Sequence, residues 1–275
     1  RPPRSTLFPY TTLFRSMSTL GPALSVADIN NDGLEDIFIG GSFGLEGSIY
    51  LQKNNQFIKK ETEIFKRDKI SEDIGALFFD PDNDGDQDLY VVSGGYEYAE
   101  KSKYLVDRLY INDGKGNFTK QENLPSKKIS GSKILTLDFN KDGKKDVLVL
   151  GRQVPGKYPL PASSYLLKNT SNPSKVSFED STAKLAPGLI NLGMATGAVI
   201  TDFNNDSWKD IIIVGEWMSV KIFKNNKGVF EEVSQELLKD SNTTGWWWSI
   251  NKGDFDNDGD EDYIIGNNGL NYKYK

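Results

Sequence analysis

Oxygen ligands for a hard cation recur five times along this chain at one spacing. The segments read Asp28-Ile-Asn-Asn-Asp-Gly-Leu-Glu-Asp36, Asp80-Pro-Asp-Asn-Asp-Gly-Asp-Gln-Asp88, Asp138-Phe-Asn-Lys-Asp-Gly-Lys-Lys-Asp146, Asp202-Phe-Asn-Asn-Asp-Ser-Trp-Lys-Asp210 and Asp254-Phe-Asp-Asn-Asp-Gly-Asp-Glu-Asp262. Positions 1, 3, 5 and 9 carry an oxygen-bearing side chain in every copy. Calcium takes six to eight oxygens at about 2.3–2.6 Å. So few residues can supply them only by curling tightly round the ion. Alternate side chains then point inward, position 7 offers its backbone carbonyl, and a last carboxylate closes the shell. Gly at position 6 permits the positive φ that the turn requires.

Runs of Asp, Asn and Gly are also ordinary turn formers. Turn chemistry alone does not explain five copies in one phase, each followed by a β-branched run. An EF-hand loop would end in a bidentate Glu at position 12. Here that position holds Ile39, Val91, Val149, Ile213 or Ile265.

The elements that must hold these loops are strands. Ala23–Ala27, Gly75–Phe79, Lys133–Leu137, Gly197–Thr201 and Trp246–Gly253 precede them, and Ile37–Gly40, Leu89–Val92, Val147–Leu150, Ile211–Val214 and Tyr263–Ile265 follow. Two more short strands usually complete the unit. Loop starts lie 52, 58, 64 and 52 residues apart, a period that suits four-stranded propeller blades. The second strand of each unit is nearly continuous in Ile, Val and Leu, as expected of a sheet buried on both faces.

The pattern Asp-x-Asp/Asn-x-Asp-Gly-x-x-Asp between the first two strands of a blade resembles the FG-GAP/VCBS repeat of integrin α-subunit heads and secreted bacterial propellers. The resemblance implies an all-β fold, an incomplete β-propeller of four-stranded antiparallel blades with about four and a half present over residues 17–275. It also implies up to five Ca²⁺ sites. Side-chain ligands would be Asp28, Asn30, Asp32 and Asp36; Asp80, Asp82, Asp84 and Asp88; Asp138, Asn140, Asp142 and Asp146; Asp202, Asn204, Asp206 and Asp210; and Asp254, Asp256, Asp258 and Asp262. Leu34, Asp86, Lys144, Trp208 and Asp260 would each give a carbonyl. The fourth loop has Ser207 where Gly belongs. Positive φ costs a non-glycine residue about 1–2 kcal/mol, so this site is expected to be the weakest.

Seventeen acidic residues occupy ligand positions, so the net charge of −6 resides mainly in the loops. No basic patch with interleaved aromatics suggests a nucleic-acid partner. Cysteine is absent, which leaves metal ions to take over part of the stabilising role of disulfides. No apolar run reaches the ~20 residues that span a membrane. Residues 1–16 are expected to be an artefactual extension, since Thr6–Ser16 is the translation of a common short-read sequencing adapter. The remainder then reads as a fragment of a larger propeller.

Catalysis finds little support in the residue types. With neither His nor Cys, imidazole bases, the usual zinc centres and thiol nucleophiles are missing. Glu46, Glu97 and Glu216 are placed in loops, where they could be paired acids for glycoside chemistry or merely solvated charges. Trp246 and Trp248 should share one face of a strand and Trp247 the other, chiefly as core. Loops after the second strands emerge opposite the metal loops. They hold Tyr96, Tyr98 and Tyr104; Arg152 and Tyr158; Glu216 and Trp217; and Asn267, Asn268 and Tyr272. Tyr98, Tyr158, Trp217 and Tyr272 are the best candidates for contacting a ligand. The expectation is a calcium-binding, non-catalytic propeller from a secreted, periplasmic or cell-surface bacterial protein, adhering to an extracellular protein or glycan. The alternatives are a carbohydrate-active protein, binding polysaccharide or acting as a lyase, and a purely structural scaffold.

Overall fold

A computed structural model describes residues 22–239 and 241–268; the extension 1–16 and Tyr272 lie outside them. The first blade comprises β1 (Leu24–Ala27), β2 (Asp36–Ile39), β3 (Ser48–Lys53) and β4 (Gln56–Lys60). The second comprises β5 (Glu72–Phe79), β6 (Asp88–Gly94), β7 (Arg108–Asn112) and β8 (Phe118–Lys120). The third comprises β9 (Ser130–Leu137), β10 (Asp146–Gln153), β11 (Tyr165–Asn169) and β12 (Phe178–Asp180). The fourth comprises β13 (Met194–Thr201), β14 (Asp210–Met218), β15 (Lys221–Asn226) and β16 (Val229–Glu232). A fifth unit contributes β17 (Gly245–Gly253) and β18 (Asp262–Asn267). All pairings between these strands are antiparallel, and strand order within each blade follows the sequence. First strands of successive blades pack side by side, β1 on β5, β5 on β9, β9 on β13 and β13 on β17, so they line a common axis. This is the expected all-β, incomplete propeller.

Alternation explains the continuous apolar second strands. Leu89 and Val91 of β6 pack towards the first blade, while Tyr90 and Val92 pack towards the third. Val147 and Val149 of β10 face the second blade, and Leu148 and Leu150 the fourth. Ile211 and Ile213 of β14 face the third blade, and Ile212 and Val214 the fifth. The core is therefore four seams between blades, each filled by both neighbours. Short helices plug the outer ends of three seams: α1 (Glu63–Asp68), α2 (Thr182–Leu185) and α3 (Ser234–Leu238). Phe65 of α1 packs edge-on to Tyr110, with ring centroids 5.0 Å apart.

Several strands run further than their hydrophobic pattern. Arg152 belongs to β10, Glu216 and Trp217 to β14, and Asn267 to β18, where loops were expected. The cause is pairing. Arg152 Nη2 donates to Glu216 Oε1 at 2.5 Å, with both side chains buried. A charge paired in this way can continue a strand into the interior. At the same end, β17 adds to β14 through Glu216↔Trp246 and Met218↔Gly245. A register shift between Trp247 and Ser249 then separates the tryptophans. Trp247 packs into the seam between the fourth and fifth units, whereas Trp248 is 40% exposed.

Candidate metal loops and ligand face

Each loop joins a first strand to a second, and its closing Asp is the first residue of that second strand. All five fold alike. The position-1 carboxylate accepts the N–H of position 6, from Gly33, Gly85, Gly143, Ser207 and Gly259 at 2.8–3.1 Å. The position-5 carboxylate accepts the N–H of position 7 at 2.9–3.1 Å. Ser207 stands at φ 68°, in the same left-handed region as the four glycines. The fourth loop thus keeps the geometry of its siblings and carries backbone strain. Position 4 is left-handed as well, at Asn31, Asn83, Lys141, Asn205 and Asn257, with φ of 56–62°. Sequence reasoning passed over this requirement, although four asparagines there signalled it.

The closing carboxylates are held from both sides. Gln52, Asn112, Asn169 and Asn225, each on a third strand, donate backbone N–H groups to Asp36, Asp88, Asp146 and Asp210 at 2.7–2.8 Å. The N–H of position 2 reaches the other oxygen of Asp36, Asp146, Asp210 and Asp262 at 3.0–3.3 Å. Pro81 occupies position 2 of the second loop and has no N–H to give. Burial, with neighbouring carboxylates adding to it, pushes Asp88 up to about 8. Burial also raises Asp146 to about 7 and Asp210 to about 6, despite their backbone donors.

The second and fifth loops gather the most charge. Asp80, Asp82 and Asp84 bring carboxylate oxygens within 4.8 Å of one another, as do Asp254, Asp256 and Asp262 in the fifth loop. Asp82 Oδ1 and Asp86 Oδ1 are buried without a hydrogen-bond partner. Burial and the adjacent acids raise Asp82, and raise Asp86 to about 6. Orphaned anionic oxygens are costly, and a hard dication would satisfy them. The donors are oxygen only, the set that suits calcium or magnesium rather than zinc or copper.

One recurring side chain went unrecognised in the sequence. Asn112, Asn169 and Asn225 end or nearly end their third strands, and each clasps two successive loops. Asn112 Nδ2 donates to Ile29 O of the first loop at 2.8 Å and to Gln87 O of its own at 3.2 Å. Asn169 Nδ2 joins Pro81 O to Lys145 O, and Asn225 Nδ2 joins Phe139 O to Lys209 O. The only sequence signal was an Asn recurring at the end of the third strand.

At the opposite end, the predicted ligand-face residues divide. Trp217 is 52% exposed at φ 54°. Its Nε1 donates to the Tyr158 hydroxyl at 2.6 Å, and its ring lies 4.8 Å from that of Trp246. Trp217 and Tyr158 therefore come together. Tyr98 lies apart, packed between Phe43 and Tyr104 with ring centroids 5.8 and 5.7 Å away and the rings tilted, and with its hydroxyl donated to Ile70 O.

The three glutamates considered as paired acids do not come together. Glu216 is locked to Arg152, Glu46 pairs with Lys59 at 3.5 Å, and Glu97 meets Glu72 instead. Gly95, at φ 100°, leaves room for that meeting; a Cβ there would strike the Glu72 carboxyl and come within 2.9 Å of Glu97 Oε2. Burial, then repulsion from Glu97, raises Glu72 from 4.5 to about 7. Folded protein therefore holds a proton that unfolded chain has released, and stability falls as pH rises from 4.5 through 7. Replacing Glu72 with Gln should flatten that part of the curve and stabilise the protein at pH 8 by on the order of 1 kcal/mol after solvent screening. Chemical denaturation at pH 5 and pH 8 checks this; parallel curves for both proteins would refute the shared proton.

Repeated four-stranded blades with an acidic loop between first and second strands define a bladed, loop-repeat protein. Residues 28–91, 80–149 and 202–265 match the FG-GAP-like repeat family, and the chain belongs to it. No curated protein matches the sequence. Among solved structures, an Agrocybe aegerita lectin described as specifically recognising non-reducing terminal N-acetylglucosamine aligns at TM-score 0.47 and 18% identity, over 78% of this chain and 51% of the lectin. The V. cholerae biofilm matrix protein Bap1 aligns at TM-score 0.47 and 16% identity, over 89% of this chain and 34% of Bap1. Bombyx mori GH32 β-fructofuranosidase BmSUC1 aligns at TM-score 0.36 and 8% identity, over 93% and 60%. The chain thus spans about half of the lectin and a third of Bap1.

Proposed function

We propose that this chain is a calcium-stabilised, non-catalytic scaffold of an extracellular protein, and that it binds a glycan or protein ligand on the face opposite its metal loops. Trp217 carries the binding part of the reading. A bulky residue at φ 54° is strained, and here it presents half its surface to solvent while Tyr158 and Trp246 fix its ring. Such strain persists only where the surroundings over-determine it, and it concentrates at binding sites. A rigid aromatic with little entropy left to lose makes an efficient contact. The metal part rests on the orphaned oxygens of Asp82 and Asp86. Loops of this kind bind calcium at about 10⁻⁴–10⁻³ M in extracellular modules, which favours secretion or surface display. No helix among the described residues is long and apolar enough to cross a membrane.

Glycan and peptide array binding tests the reading. Trp217→Ala should lose at least about tenfold in affinity with its melting curve little changed. Asp82→Ala should weaken binding only as calcium is lowered. Undiminished array binding by a Trp217→Ala, Tyr158→Ala double variant would refute this face.

A further inference from the structure

The five first strands surround a cavity of about 410 Å³ at the end of the axis away from the metal loops, within the ~300–1,000 Å³ range of small-molecule sites. Its walls include Leu24, Ile74 and Ile134, with Lys133, Arg152 and Trp248 among them. No Asp or Glu lines it among the described residues, although the chain carries a net charge of −6. Lys133 is exposed there and makes no ion pair among the described residues. Arg152 reaches it from the third blade. The Arg152 guanidinium is buried and lies 5.3 Å from the centroid of the Trp248 ring in the fifth unit. Glu216 takes its Nη2, while Nη1 has no hydrogen-bond partner. Arg152 covers one face of the indole, and Trp248 remains 40% exposed.

We propose that this axial cavity binds a carboxylate-bearing sugar, a hexuronate unit of an acidic saccharide. The Lys133 ammonium meets the carboxylate, the free face of Trp248 stacks on the apolar face of the pyranose ring, and Leu24, Ile74 and Ile134 line the recess beside them. An unpaired ammonium in a recess that no carboxylate lines selects an anion, and a part-exposed indole selects a flat ring with C–H faces. An acidic peptide would supply the charge without that ring. Trp217 and Tyr158 do not line the cavity, so the two sites can be tested and can fail independently.

The probe is digalacturonate, titrated calorimetrically into the calcium-loaded chain, with its methyl diester as the uncharged control and a tetraglutamate peptide as the competitor. The acid should bind, and the diester at least about tenfold more weakly. Lys133→Ala should cost about tenfold and flatten the salt dependence. Trp248→Ala should lose binding that Trp248→Phe largely keeps, which separates ring stacking from mere packing. Thermal melts of each variant guard against misfolding. The proposal is overturned by absence of digalacturonate binding, by equal affinity for acid and diester, by affinity unchanged in Lys133→Ala, or by tetraglutamate binding as tightly as the sugar.

Discussion

Calcium at about 2 mM should raise the melting temperature by on the order of 10 °C over the same protein in EGTA. Free calcium exceeds the ~10⁻⁴–10⁻³ M dissociation constants of extracellular loops by factors of roughly two to twenty. Linkage then gives roughly 0.6–2 kcal/mol for each filled site, and five sites give several kcal/mol. In a domain of this size each kcal/mol moves the midpoint by about 2–4 °C. The loops lie between first and second strands of all five units, so the gain should spread over the whole arc. Asp84→Asn should reduce the increment by about one site's share, because that carboxylate stands among the three that converge in the second loop. Magnesium should substitute poorly, since it demands a smaller, near-octahedral shell. Identical melting curves in calcium and EGTA would refute metal stabilisation, whatever the sugar or array experiments show.

Glu216→Ala should be the most damaging single substitution at the opposite end, costing about 3–5 kcal/mol. Arg152 is 2% exposed and Glu216 3%, and they hold each other at 2.5 Å across the seam between the third and fourth blades. Removing the carboxylate leaves a buried guanidinium without its counter-ion. The paired replacement Arg152→Met, Glu216→Leu should recover most of the loss, because the intact pair repays little beyond its own desolvation. Urea unfolding of the single and double variants measures both statements. A single variant as stable as the parent would mean that the pair is hydrated rather than sealed.

Much of the architecture could be read from the residues. The nine-residue loops, their phase and the β-branched runs behind them located all five units, because both signals are local and repeat. The closing aspartates were legible as candidate ligands, but their place as strand-initial residues braced by Gln52, Asn112, Asn169 and Asn225 was not. Those braces lie 15–24 residues from the carboxylates they hold. The ends of β10 and β14 were misplaced for a related reason. Arg152 and Glu216 look like loop residues until each is known to face the other, and 64 residues separate them. Trp217 was singled out by type and position, but its strained backbone and its meeting with Tyr158 arise only from three-dimensional packing.

The asparagine clasps also give the fold a direction. Each reaches backward, from a third strand to the loop of the blade before it: Asn112 to Ile29, Asn169 to Pro81, Asn225 to Phe139. A chain emerging from the ribosome therefore always meets the acceptor before it makes the donor, and each loop is tied down only when the third strand of the next blade has been made. Domains made in this order can settle as they appear, and since each unit touches chiefly its neighbours, order can propagate along the arc. Limited proteolysis of chains ending just before and just after Asn169 would detect the step: protection of the second loop should arrive with that one side chain.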